Sequence, residues 1–272
     1  MRHRRARAAE MKSTQRYVGR LTRLAKAYAN AEHDVIAAFF KKSPKRRDHL
    51  RWLKAQGYKE YSAIRPILAA LNALYPDVDR GVTRHDYAEL TEKLADETKH
   101  ARLVMDLLQE IGGKKITPRD LTWLPQDRKL AKVRAKFSRS FAGLLHGSEK
   151  ITAREINRGD EALERAAITL TEGGGGALYR VCSQLRRNAI EAKIARVFHE
   201  ILLDEVAHKD SGARSLGTLI GNEASFKRAA EIICLVSSQR LHMRNEQFGF
   251  PLKRAQLAVL NRRARHSIDW QQ

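Results

Sequence analysis

Asp96-Glu97-Thr98-Lys99-His100 occurs once in the first half of the chain and returns in the second as Asp204-Glu205-Val206-Ala207-His208. A Glu and a His three residues apart fall on one face of an α-helix, so two such helices facing each other bring two carboxylates and two imidazoles to one point. The flanking residues decide which way that face looks. Around the first copy, Leu90, Leu94, Val104, Leu107 and Ile111 form a helical stripe, and Glu97 and His100 fill the gap in it. Around the second, Ile194, Phe198 and Ile201 lead at steps of four and three into Glu205 and His208. Both pairs therefore point into a core, where an ionised carboxylate is costly unless a cation meets it.

Working outward, the first motif helix is expected over 83–111, ended by Gly112-Gly113, and the second over 189–212, after a turn at Arg187-Asn188. Before that turn a long helix is expected over 152–185. Glu172 lies near its middle and is followed at once by Gly173, Gly174, Gly175 and Gly176. Glu172 and Glu205 are equidistant from the 188/189 turn, so an antiparallel pair sets them level. Four helical glycines cost roughly 1 kcal/mol each relative to Ala. Beside a ligand they leave room, so the run is expected to line a substrate cavity; the alternative is a loop with Glu172 at a helix end.

Upstream, residues 14–42 read as one helix with Val18, Leu21, Ala25, Tyr28, Val35, Ile36 and Phe39 on its apolar face. Glu32 falls inside that stripe, either as a ligand or as half of a buried salt bridge. Ser43-Pro44 and Gly57 predict a short basic helix over 44–56, and a second is expected over 62–75 with Pro66 in its first turn. Those signals put Glu60 in a loop. Its spacing argues the other way, since Glu60 and Glu97 are about equidistant from a turn near Asp79. The buried stripe favours Glu32. Downstream, helices are expected over about 126–145 and 223–243, before the basic run Arg262-Arg263-Ala264-Arg265.

The chain has 272 residues, 43% of them hydrophobic, with 6 prolines and 16 glycines and no alternating strand pattern, which points to a mostly helical protein. No run of about 18 uncharged apolar residues is present, so no membrane span is expected and the protein is read as cytoplasmic. Cys182 and Cys234 are too few for a disulfide framework and are read as reduced. The net charge of +21 is uneven, with 17 Lys and Arg against 5 Asp and Glu in residues 1–60. That surplus suits an acidic partner, RNA or an acidic carrier protein. Residues 1–13 are expected to be a disordered basic arm.

Two inward Glu-x-x-His pairs with two further carboxylates resemble the ferritin-like di-iron carboxylate superfamily, over about residues 15–212. The resemblance implies an all-α protein built on a ferritin-like four-helix bundle. The domain would span 14–245, with short inserted helices at about 44–75 and 115–150, followed by a basic segment over 246–272. It assigns Glu32, Glu97, His100, Glu172, Glu205 and His208 as metal ligands, and Asp96 and Asp204 as the carboxylates that orient the imidazoles. It implies two iron ions, with manganese acceptable at one, and O2 as co-substrate. The reaction would hydroxylate or otherwise oxidise a small-molecule or carrier-bound substrate beside Glu172, with electrons from an external donor; a homodimer is compatible with it. The chain departs from the radical-generating ribonucleotide reductase subunits, which place a Tyr where this chain has Val104. It departs from the arylamine N-oxygenases, which place a third His where it has Ile201. Ferritins proper are shorter and lack such a glycine run. A ferroxidase and a basic helical nucleic-acid-binding protein are the competing readings, and a tRNA-modifying hydroxylase would combine the last with the first.

Overall fold

The computed structural model describes residues 2–137, 159–172, 175–208 and 211–268, with side chains over 13–137, 161–172, 176–205 and 212–268. All regular structure among these residues is helical, apart from one isolated bridge between Val78 and Val82. No described helix is long and apolar enough to cross a membrane.

Helix α1 spans Arg2–Phe40. The expected disordered arm is therefore helical from Arg2; its Ala, Arg and Glu residues are strong helix formers that continue the amphipathic stretch behind them. Two apolar clusters meet along α1. Leu21, Leu24, Tyr28, Ala31 and Val35 belong to one, and Ile36, Phe39 and Phe40 to the other.

Helix α2, Arg46–Leu74, replaces the two short helices expected over 44–56 and 62–75. Gly57 does not stop it, because there α2 packs closely against its neighbours. A Cβ there would lie 3.0 Å from Leu121 Cδ2 and 3.3 Å from Val104 Cγ1. Packing against those side chains offsets a propensity cost of about 1 kcal/mol. Pro66 is likewise inside the helix. Continuity through both breakers puts Glu60 in mid-helix and buried.

A tight turn follows, in which Asp79 adopts a positive φ of 63° and accepts two hydrogen bonds from Arg84. Helix α3, Arg84–Gly112, is capped at its start by Thr83, which accepts from the Asp86 N–H, and ends at Gly113 in the left-handed conformation, as its sequence signals require. The Arg46 Nε–H donates to the Ile111 carbonyl at 2.8 Å, so the start of α2 is level with the end of α3.

Helix α4 is Pro125–Phe137; the rest of the helix expected there lies outside the described residues. The helix expected over 152–185 is found as α5, Gly159–Glu172, and α6, Gly175–Ser183. Helix α7, Ala189–His208, starts where expected, with Asn188 Oδ1 accepting from the Glu191 N–H. Helices α8 (Ser211–Leu219), α9 (Glu223–Gln247) and α10 (Arg254–Arg265) complete the chain. The α2–α3 hairpin meets the α6–α7 hairpin through α3 and α7, and α1 packs on α6, α9 and α10.

Candidate metal centre

Glu97 and His100 are one turn apart on α3, and the long α2 brings Glu60 to meet them. One ligand atom from each of the three lies within 4.8 Å of the others. Glu60 is 4% exposed, and its Oε1 accepts from Gln56 Nε2 at 2.6 Å and from the Tyr179 hydroxyl at 3.1 Å. His100 is 1% exposed. Its Nε2 faces Asp204 Oδ2 at 3.1 Å, and Lys99 Nζ reaches the same carboxylate at 2.9 Å.

The state of Asp204 determines what the other imidazole nitrogen can do. Burial pushes the Asp204 pKa up, but the hydrogen bonds from Lys99 and His100 outweigh it and hold the pKa below the usual value. An ionised carboxylate only accepts, so Nε2 carries the proton, and in the neutral ring Nδ1 is left with a lone pair. Nδ1 is buried without a hydrogen-bond partner. Glu205 Oε1 is 3.9 Å from it, beyond hydrogen-bond range. A buried polar atom without a partner costs about 1–3 kcal/mol and calls for an explanation.

The carboxylates crowd one another. Burial raises the Glu97 pKa to about 9, and the charges of Glu60, Glu205 and Glu172 add to the effect. Burial also raises Glu205, to about 7, with Glu60, Glu172 and Asp96 contributing. Glu172 goes the other way: desolvation is outweighed by Lys93, Arg134 and Arg240, and Arg134 Nη2 is 3.7 Å from its Oε1. The Lys93 ammonium is held charged chiefly by Glu172. Glu172 and Glu205 keep side-chain exposures of 36% and 32%, so this side of the group opens to solvent.

Glu32 is elsewhere. It is 1% exposed, and its Oε1 accepts from Arg244 Nε at 3.2 Å and Nη2 at 3.1 Å. The expectation that Glu32 is the first-helix ligand is thus replaced by Glu60, and the buried salt bridge is what Glu32 forms. Beside it lies a cavity of about 10 Å³ lined by Thr171, Ser237 and Arg240, the size of a single water.

The other expected site residues divide. Asp204 holds an imidazole as expected, but the one on the opposite motif helix, and Asp96 lies close enough to raise Glu205. His208 ends α7 with its side chain outside the described residues, as are Gly173 and Gly174. A Cβ on Gly176 would meet the flexible end of Arg180 at 2.8 Å. Tyr179 escaped the sequence reading, although it is seven residues after Glu172 and so on the same face of the single helix expected over 152–185. Gln56, one turn before Glu60, ended the short helix expected over 44–56, so the helical spacing between the two was hidden by the break expected after it.

Three ligand atoms around one ion at bonds near 2.1 Å lie up to about 4.2 Å apart, so a spread within 4.8 Å needs only a small side-chain adjustment. Two carboxylates and an imidazole are donors suited to iron or manganese. Among the described residues, the partnerless Nδ1 and the crowded carboxylates both fit a bound cation.

The ionisation of Glu97 can be checked without metal. Its folded pKa lies above the unfolded value of 4.5, so the folded protein binds the extra proton and the metal-free fold loses stability as pH rises from about 4.5 to about 9. Glu97→Gln removes this dependence. The expected result is a Tm difference between Glu97→Gln and the parent that grows in the variant's favour as pH rises through that window.

The chain matches no protein-family model, no curated protein and no solved structure with which it was compared.

Proposed function

We propose that the chain is a ferritin-like, non-haem di-iron oxidoreductase that uses O2 to hydroxylate or otherwise oxidise a substrate. The observation that carries this reading is the group of Glu60, Glu97 and His100, whose ligand atoms lie within 4.8 Å of one another and whose imidazole also has a buried Nδ1 without a partner. Glu60, Glu97 and His100 would hold one ion, and Glu172, Glu205 and His208 would complete the second position. The bound ions would supply the activation of O2.

The chain's own residues set the conditions for that chemistry. Asp204 fixes the proton on Nε2 and so keeps Nδ1 available as a donor atom. Tyr179 and Gln56 both donate to Oε1 of Glu60, which fixes the carboxylate's orientation. Lys93, with Arg134 and Arg240, holds the Glu172 pKa down at the mouth of the group, where a substrate would enter. Electrons would come from an external donor.

The test is metal analysis after anaerobic loading with Fe(II), followed by O2 uptake with a chemical electron donor such as ascorbate present. About two irons per chain and consumption of O2 beyond that needed to oxidise the bound iron are expected. Uptake that tracks Fe(II) alone would assign a ferroxidase, and a chain that takes up no metal would refute the centre.

A further inference from the structure

Helix α9 ends in a turn of unusual backbone. Gly249 and Phe250 both have positive φ, 70° and 59°. For Gly249 this is no burden; for a bulky aromatic it is a true outlier. The turn is nonetheless firmly built. The Phe250 N–H donates to the Asn245 carbonyl at 2.7 Å. The Asn245 side chain, 5% exposed, donates to the Leu252 carbonyl and accepts from the Leu252 N–H, both at 3.1 Å. Gly249 leaves no room for a Cβ because the Arg51 guanidinium packs against it. All this holds the Phe250 ring 60% exposed. A strained backbone that is over-determined by its surroundings, yet spends the strain on exposing an apolar ring, points to a ligand for the ring.

The surroundings indicate the ligand's charge. Residues 248–268 contain no Asp or Glu, and Lys253 and Arg254 are exposed just after the turn. The corner between α1 and α2 adds exposed Lys41, Lys42, Arg47 and Arg51, and it is tied to the turn by Lys42 Nζ donating to the Pro251 carbonyl at 3.1 Å. The acid at this corner, Asp48, accepts from the Lys45 N–H through Oδ2, and its Oδ1 lies 4.0 Å from Arg47 and 3.9 Å from Arg51, so a single carboxylate offsets only part of the positive charge. Two basic stretches about 200 residues apart in sequence thus flank one exposed ring.

The geometry points to a docking surface for single-stranded nucleic acid, in which Phe250 stacks on a base and Lys41, Lys42, Arg47, Arg51, Lys253 and Arg254 contact the phosphates. Stacking needs an unpaired base face, which a duplex or an acidic peptide does not offer. Ribose and deoxyribose strands share this chemistry, and comparing the two shows which is preferred. The surface is independent of the metal centre.

The test uses the full chain and fluorescence anisotropy with labelled 20-nucleotide RNA and DNA strands, a duplex of equal length and a poly-glutamate peptide. Phe250→Ala is expected to weaken single-strand binding about tenfold, with Phe250→Tyr retaining it. Lys253→Ala and Arg254→Ala should each flatten the dependence of log K on log salt by about 0.7. Phe250→Gly separates ligand binding from folding. Glycine suits the left-handed backbone, so Tm should hold or rise while binding is lost. Unchanged single-strand binding by Phe250→Ala would overturn the proposal. So would duplex or poly-glutamate binding the parent protein as tightly as the single strand, or a fall in Tm for Phe250→Gly.

Discussion

Glu60→Ala is expected to abolish iron binding at the position it shares with Glu97 and His100, while Glu32→Ala leaves iron content unchanged. The contrast follows from what each carboxylate touches. Glu60 lies within 4.8 Å of the Glu97 and His100 ligand atoms, and its hydrogen bonds from Gln56 and Tyr179 come from neutral donors and occupy only Oε1. Glu32 already has its cation in Arg244. Removing Glu60 deletes one of three donors from a small set, a larger loss than the 10–100-fold typical of residues that only orient ligands. Anaerobic Fe(II) titration of both variants, with far-UV circular dichroism to confirm helicity, reads the difference. Full iron content in Glu60→Ala, or its loss in Glu32→Ala, would reverse the assignment.

The second large effect concerns stability, and here the two glutamates exchange roles. Glu32→Ala leaves the Arg244 guanidinium, whose side chain is 3% exposed, without its carboxylate. Breaking one side of a buried pair costs about 3–5 kcal/mol. Gln56 and Gln247 still accept from Arg244 Nη1, which places the cost toward the lower end. At roughly 2–4 °C per kcal/mol for a domain of this size, Tm should fall by about 10 °C. Replacing both partners, as in Glu32→Leu/Arg244→Met, should recover most of that loss, because apolar side chains of similar volume leave no uncompensated charge. A double variant as unstable as Glu32→Ala would show that packing rather than charge sets the cost.

How far the sequence could be read follows from the same residues. The inward direction of Glu97 and His100 was legible because it is a property of one helix's own periodicity, and the turns at Asp79 and Arg187-Asn188 were legible because their residues carry local signals. Glu60 was not. Its spacing from Glu97 marked it, but Gly57 and Pro66 argued locally for a break, and only contact with Val104 and Leu121 shows why α2 continues. Glu32 sat on a buried stripe as a ligand would; the arginine that claims it is 212 residues away, beyond any local pattern. Asp204 was expected to serve an imidazole, but adjacency in sequence could not reveal that this is His100, on the other copy of the motif.

The close approach at Gly57 also limits what that position can become. Val104 is fully buried, and its Cγ1 lies 3.3 Å from where a Cβ on residue 57 would be, with Leu121 Cδ2 at 3.0 Å. A larger side chain at 57 would push α2 away from both, and Glu60, one turn further along the same helix, would move with it. The fit of an apolar contact thus sets where a carboxylate stands.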